Sequence, residues 1–173
     1  IASIKIKPVS TIETIECYDN FVFIGDSIGT IHVLVLPKLY ETLTLVNAHN
    51  ICLNHSITAI CGIKDENVLF TADTLGYLKR WIVESDQNTI QLTESQIQRC
   101  HNTEITNITL CCNNMFIATC SADQCVRIWR KDTFEYVGFF SEISKWNLND
   151  PSTWIIKSPF EVDEEHFIKP KAS

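Results

Sequence analysis

Features that would assign a chain to a membrane, secreted or metal-binding class are missing from these 173 residues. No apolar run approaches the roughly 18 residues of a membrane helix, and no signal-peptide pattern is visible. There is no Cys-x-x-Cys pair and no Cys/His quartet at zinc-finger spacing. We therefore expect the eight cysteines to be reduced thiols in an intracellular protein that binds no metal, other cofactor or membrane.

Clusters of basic residues are missing too. The 14 Lys and Arg are scattered, and with 21 Asp and Glu the net charge is −7. Neutralising phosphates requires clustered basic side chains, so no nucleic-acid partner is expected. Solubility alone explains a mild acidic excess. The chain starts at Ile1 within an apolar alternating run, and we expect it to be an internal piece of a longer polypeptide.

A repeat of about 47 residues organises most of the chain. Leu34, Trp81 and Trp129 occupy the same place in three aligned segments, at intervals of 47 and 48 residues. Each segment is an apolar strand, a short polar turn and a second strand. A short alternating strand precedes each segment, and an amphipathic or β-branched strand follows it.

Four antiparallel strands per repeat are typical of a propeller blade. We predict an all-β fold, a partial β-propeller of about three four-stranded antiparallel blades with an irregular C-terminal tail. Only Ser95 to Gln98 suggests a short helical turn. The predicted boundaries are a propeller segment at 1–140 with blades at about 10–46, 56–98 and 104–140, a Trp-rich edge-packing segment at 141–157, and an acidic, proline-containing linker or arm at 158–173.

The third repeat resembles a WD40 repeat. Cys100-His101 stands where that family has Gly-His, and the run from Ser121 to Trp129 matches its strand–turn–strand core. The resemblance implies a β-propeller that binds protein. It also implies a tetrad in which a buried imidazole bonds a turn Asp and the indole N–H bonds a hydroxyl. In this sequence the tetrad residues are His101, Thr119, Asp123 and Trp129.

The second repeat keeps part of the tetrad and the first repeat keeps none of it. The second has His49, Thr71 and Trp81, but Leu75 replaces the tetrad Asp. Both repeats have an Asp two residues earlier, followed three residues later by a glycine that suits a turn with positive φ. These variant turn residues are Asp26 and Gly29 in the first repeat, and Asp73 and Gly76 in the second.

The histidines invite an enzymatic interpretation. His101 with Asp123 resembles half of a catalytic arrangement, but their spacing is that of the tetrad, so we predict a structural role. His32 and His55 stand alone, and we expect each to be solvated on a strand or loop. An enzyme would need convergent acids, a metal cluster or an activated nucleophile. None is found, so no catalytic, cofactor-binding or metal-binding residue is predicted.

The tail contains Trp146, Leu148 and Trp154, which are too apolar to be left in water. Two interpretations stay open. The segment packs on the edge of the propeller or begins the next element, or these three side chains dock on a partner. The absence of a helical or strand pattern here does not separate the alternatives.

The tail also carries a narrower resemblance. The run from Tyr136 to Phe140, continued by Trp146 to Trp154, resembles a segment in the WD-repeat proteins of cilia and flagella, some of which have EF-hands. It departs from that pattern at Ser141-Glu142, and no calcium loop of EF-hand type is present in the sequence. The resemblance implies a cytoskeletal protein of the axoneme, held among doublet microtubules, radial spokes or dynein-regulatory assemblies.

Three functional hypotheses follow. The first is a non-catalytic protein–protein interaction scaffold, a structural component of the ciliary or flagellar axoneme, completed by the remaining blades of the same parent chain. The second is a soluble WD40 recognition module of the cytoplasm, such as a substrate receptor of a ubiquitin ligase or a trafficking adaptor. The third, an enzyme, is not expected. Fold class alone does not choose the partner.

Overall fold

The computed structural model describes residues 10–18, 20–35, 44–50, 55–86, 89–140 and 146–155. Within these ranges the chain forms three separate sheets of four antiparallel strands, each in simple chain order. The prediction of an all-β fold built as a partial propeller is confirmed. Each sheet is one blade.

The strands follow the repeat of the sequence. Blade 1 contains β1 (Ile12–Tyr18), β2 (Phe21–Asp26), β3 (Thr30–Val35) and β4 (Thr44–Asn50). Blade 2 contains β5 (Ile57–Ile63), β6 (Val68–Asp73), β7 (Tyr77–Asp86) and β8 (Thr89–Arg99). Blade 3 contains β9 (Ile105–Cys111), β10 (Phe116–Ser121), β11 (Val126–Arg130) and β12 (Tyr136–Phe139). Single 3-10 turns lie at Lys64–Glu66 and Pro151–Thr153.

The strand register agrees with the sequence alignment. Leu34, Trp81 and Trp129 each lie opposite an apolar residue of the preceding strand, namely Val22, Leu69 and Ile117. In antiparallel strands directly opposed side chains lie on the same face, so the three residues hold the same position in their blades.

Two outer strands differ from the prediction. The strand expected to end at Val46 runs from Thr44 to Asn50. The helical turn suggested for 95–98 is wrong, because these residues belong to the continuous strand β8. The neighbouring strand β7 is ten residues long and pairs with β8 throughout its length. A full ladder satisfies the backbone donors and acceptors of a polar segment that would otherwise favour a turn.

The hydrophobic core lies between the blades. It forms two apolar layers, one between each pair of neighbouring blades. Burying each large apolar side chain contributes about 1.5–3 kcal/mol, so the two layers hold the sheets together. Between blades 1 and 2 the core contains Phe23, Ile31, Val33, Ile57, Ile60, Leu69, Trp81, Val83 and Ile90. Between blades 2 and 3 it contains Ala59, Ile63, Val68, Phe70, Ala72, Leu78, Cys100, Ile105, Ile108, Ile117, Trp129, Phe134 and Tyr136.

The two ends of the stack are finished differently. On the side of blade 1 away from blade 2, Ile15 lies opposite Ile24 and is 61% exposed. The corresponding residue of blade 2, Ile60, is only 7% exposed because blade 1 covers it. At the other end, residues 146–155 lie against blade 3 and pack on its apolar face.

Candidate blade-locking network and turn surface

Three buried side chains and one half-buried carboxylate at blade 3 form one hydrogen-bonded chain. The indole Nε1 of Trp129 donates to Thr119 Oγ1 at 3.0 Å, and Thr119 Oγ1 lies 2.8 Å from Nε2 of His101. His101 Nδ1 is 3.0 Å from both carboxylate oxygens of Asp123. A neutral imidazole with its proton on Nδ1 donates to the Asp123 carboxylate and accepts at Nε2 from the Thr119 hydroxyl. The structure thus brings together all four residues predicted from the third repeat.

The backbone of blade 2 positions the histidine of this network. His101 follows β8, and the N–H groups of Cys100 and His101 both donate to the carbonyl of Gly76, at 2.8 and 3.1 Å. Gly76 has φ +84°, and a Cβ there would lie 2.2 Å from the carbonyl oxygen of His101. Only glycine allows both the left-handed conformation and this close approach.

Arg127 completes the electrostatics and was not predicted. Its Nη1 donates to Asp123 Oδ2 at 2.6 Å and to the carbonyl of Cys100 at 3.3 Å, and the residue is buried. Burial acts to raise the pKa of Asp123, but the hydrogen bonds from Arg127 and His101 outweigh it and lower this pKa to about 2. Burial lowers the pKa of His101, with the positive charge of Arg127 adding to it and the Asp123 bond only partly opposing it. We therefore assign a neutral imidazole beside an Arg–Asp ion pair.

Blade 2 contains one bond of the same kind. Trp81 Nε1 donates to Thr71 Oγ1 at 2.9 Å, and Thr71 is 1% exposed. The third predicted member, His49, lies in β4 with its backbone opposite Ile31, and its side chain lies outside the described residues. His101, by contrast, follows the end of its outer strand.

The variant turns of blades 1 and 2 are built alike. One carboxylate oxygen of Asp26 accepts from the N–H groups of Ile28 and Thr30, at 3.1 and 2.7 Å. In blade 2, Asp73 accepts from the corresponding two N–H groups at 2.9 and 3.0 Å. Gly29 and Gly76 have φ of +85° and +84°. Each predicted turn pair thus forms one tight turn with a buried carboxylate inside.

The aspartates of the three turns face different electrostatic surroundings. Burial acts to raise the pKa of Asp26, yet the Thr30 N–H and His32 outweigh it, so this pKa lies below its usual value. Burial also raises the pKa of Asp73, and there the N–H bonds from Tyr77 and its neighbour do not fully offset it. At neutral pH the carboxylate of Asp73 therefore lowers the free energy of unfolding, whereas the carboxylate of Asp26 raises it.

The expectation that His32 is solvated is wrong. His32 is 7% exposed, and its Nε2 lies 2.9 Å from Asp26 Oδ2. It occupies in β3 the position that Lys79 holds in β7 and Arg127 in β11, because the three residues lie two positions before Leu34, Trp81 and Trp129. A basic residue at intervals of 47 and 48 was the sequence signal for this role. Burying a carboxylate requires such a counterpart.

The tail residues proposed for docking lie against their own chain. Trp154 is 7% exposed and packs edge-on against Phe116, with ring centroids 5.7 Å apart. Trp146 and Leu148 are half-buried beside it. Blade 3 thus buries the Trp154 side chain, and docking of the three residues on a partner stays a prediction. A cavity of about 300 Å³ remains between this segment and the end of blade 3.

The ring nitrogens of His101 are both engaged within the blade, which argues against a dyad built on it. Within the described ranges, no group of three or more His, Cys, Asp and Glu side chains is arranged to hold a metal ion. The same ranges contain no helix long and apolar enough to cross a membrane.

The three locked turns lie at the same place in their blades. In each turn one backbone N–H donates to the carbonyl of the residue that precedes the first strand of the same blade. The bonds run from Ser27 to Thr11, from Thr74 to Ser56, and from Ala122 to Glu104. We call residues 26–30, 73–77 and 121–125 the turn surface. Its tips include Ile28 and Leu75, which are 46% and 41% exposed.

Comparisons with known proteins agree with a β-propeller fold and identify a WD40 repeat over part of the chain. Residues 92–130 match the family model for the WD domain, G-beta repeat. The match contains all four members of the blade 3 network. No curated protein matches the chain.

Solved structures agree on the fold. The β-propeller domain of Cps50 (Swd1) from Myceliophteria thermophila is similar, with a TM-score of 0.62 and 12% identity over 76% of this chain and 41% of that one. A chain of the mitotic checkpoint complex has a TM-score of 0.65 and 11% identity over 80% of this chain and 39% of that one. This chain therefore spans about two fifths of the length of the structures it matches.

Proposed function

We propose that this chain is part of a non-catalytic protein–protein interaction scaffold and that the turn surface contacts the partner. The observation that carries the proposal is the exposure of Ile28 and Leu75 on turns that buried aspartates hold rigid. A side chain on a preorganised turn loses little conformational freedom when a partner covers it, so more of its burial becomes binding energy.

A finer proposal is that the scaffold belongs to the ciliary or flagellar axoneme. The resemblance of the tail to ciliary WD-repeat proteins supports it, over the run from Tyr136 to Trp154. In this proposal the remaining propeller blades of the parent chain complete the ring. Doublet-microtubule, radial-spoke or dynein-regulatory proteins are then the partners.

The turn surface is tested by a charge substitution with a matched control. Ile28→Asp and Leu75→Asp together should abolish capture of the partner in pull-downs from ciliated cells, because each places a carboxylate in an apolar contact. Ile82→Asp is the control, since Ile82 is 40% exposed on β7, away from the turns. Equal loss with the control variant, or full capture by the double variant, would contradict binding at the turn surface.

The axonemal assignment is tested by localising the tagged full-length parent in ciliated cells and extracting the axonemes with detergent and then salt. Retention along the axoneme after detergent is expected. A diffuse cytoplasmic signal would overturn the axonemal proposal and favour the soluble recognition module. The variant with Ile28→Asp and Leu75→Asp tests binding at the turn surface separately from the axonemal proposal. A partner can be captured through the turn surface even where the protein does not localise to the axoneme.

A further inference from the structure

Strand β12 is the last strand of blade 3, and among the described strands it pairs with β11 alone. Unpaired backbone groups along such an edge are a template for strands of other molecules. Here the tail bonds two carbonyl groups of that edge. The N–H of Ile155 donates to the carbonyl of Val137 at 2.9 Å, and the indole Nε1 of Trp146 donates to the carbonyl of Phe139 at 2.9 Å. Alternate residues of a strand direct these groups to the same side, so both bonds close one edge.

The same segment covers the apolar face beside that edge. Phe116, Ile128 and Val137 form a buried cluster with Trp154, to which Trp146 and Leu148 add partly buried surface. In blades 1 and 2 the following blade covers this side of the sheet. On blade 3 the tail covers this cluster, whereas Ala118, two residues after Phe116 in β10, is only half-buried.

A glycine in β12 creates the slot for the first tryptophan. A Cβ at Gly138 would lie 2.5 Å from Cδ1 and 2.6 Å from Nε1 of Trp146. The indole therefore lies directly on the backbone of β12, and Phe140 contacts it edge-on at 5.3 Å between ring centroids. Any side chain at Gly138 would displace the indole from the edge.

The segment is braced internally as a compact unit. Trp154 Nε1 donates to the carbonyl of Asn147 at 2.9 Å, and the N–H of Asn147 donates to Thr153 Oγ1 at 2.7 Å. Asp150 accepts from the N–H of Ser152 at 3.1 Å. The two tryptophans are thereby held at a fixed separation, one on the edge and one on the face.

We propose that residues 146–155 form an intramolecular cap that prevents β12 from pairing with a strand of another molecule. The cap uses edge hydrogen bonds and apolar cover together, because either alone leaves a surface on which a further strand can add. The proposal is independent of binding at the turn surface.

The test uses Gly138→Ala and the four indole N–H signals of the tryptophan-labelled chain. Trp146 and Trp154 report on the cap, whereas Trp81 and Trp129 donate to Thr71 and Thr119 and serve as internal controls. We expect at least roughly tenfold faster hydrogen exchange at the two cap indoles and unchanged exchange at the two blade indoles, as for local opening. Trp146→Ala should have the same effect on Trp154, and Gly138→Ala should add nothing to it.

Sedimentation velocity then tests what the cap prevents. Gly138→Ala and Trp146→Ala should both self-associate at concentrations where the unsubstituted chain does not. The amides of β12 should become protected from exchange in the associated form. Ile82→Ala, at an exposed apolar residue of β7, should behave as the unsubstituted chain. The proposal is overturned if all four indoles accelerate together, if the opened chain does not associate, or if association leaves the β12 amides unprotected.

Discussion

The hydroxyl of Thr119 is the point at which the blade 3 network can be cut with little change of shape. Thr119→Val removes one oxygen that accepts from Trp129 and donates to His101. All three residues are fully buried, so water cannot replace the lost partner. Each orphaned buried group costs about 1–3 kcal/mol, which gives about 2–6 kcal/mol for the two.

Thr71→Val in blade 2 is the matched control. Thr71 is as buried as Thr119 and accepts the same kind of indole bond, from Trp81. Among the described side chains it has no histidine partner, so the expected loss is one orphaned group, about 1–3 kcal/mol. Urea unfolding of both variants at neutral pH, followed by circular dichroism and tryptophan fluorescence, measures the difference.

Thr119→Val and Thr71→Val can also be compared in acid. Acid that protonates His101 turns Nε2 into a donor, which can no longer accept from Thr119. The Thr119 hydroxyl can then accept from Nε2 and donate to the carbonyl of Arg127, so the excess loss in Thr119→Val should persist as the pH falls through the lowered pKa of His101. Equal losses in the two variants at neutral pH would refute the view that the hydroxyl couples the histidine to the tryptophan.

Two further predictions concern the same turns. Acidification should first destabilise the chain below about pH 6.5. There His101 is protonated in the unfolded state but stays neutral in the folded state, because its pKa is lowered on folding. The lowered pKa of Asp123, about 2, adds a loss of about 2 kcal/mol as the pH falls from about 4 to about 2, seen in denaturant titrations across pH. Thermal unfolding should show Gly76→Ala to be destabilising by at least about 1 kcal/mol. Gly76 has positive φ, and the methyl would also meet the His101 carbonyl.

The repeat made most of the fold predictable. Leu34, Trp81 and Trp129 recur because every blade needs a large apolar side chain at that place, and strand register follows from that face. The outer strands were less predictable, since their polar residues carry weak alternation. Residues 95–98 became strand only because the long strand β7 supplies hydrogen-bond partners along the whole of β8.

The blade 3 site was predictable because its four residues lie in a recognisable local pattern. The role of His32 was missed because a single histidine carries no pattern until it is aligned with Lys79 and Arg127. The destination of Trp154 was undetermined for a different reason. Apolar composition requires burial, but it does not say whether the cover is the same chain or another.

The aligned basic side chains explain how the frame of each turn and the proposed binding surface are kept separate. The carboxylates of Asp26 and Asp123 lie partly or fully out of water and need partners, and His32 and Arg127 contact them directly. The turn geometry is then determined beneath the surface, by groups that a partner does not reach. The tip residues take no part in that balance, since only their backbone N–H groups bond the aspartate. Their side chains are therefore free to differ from blade to blade without disturbing the frame, which is the property that a recognition surface requires.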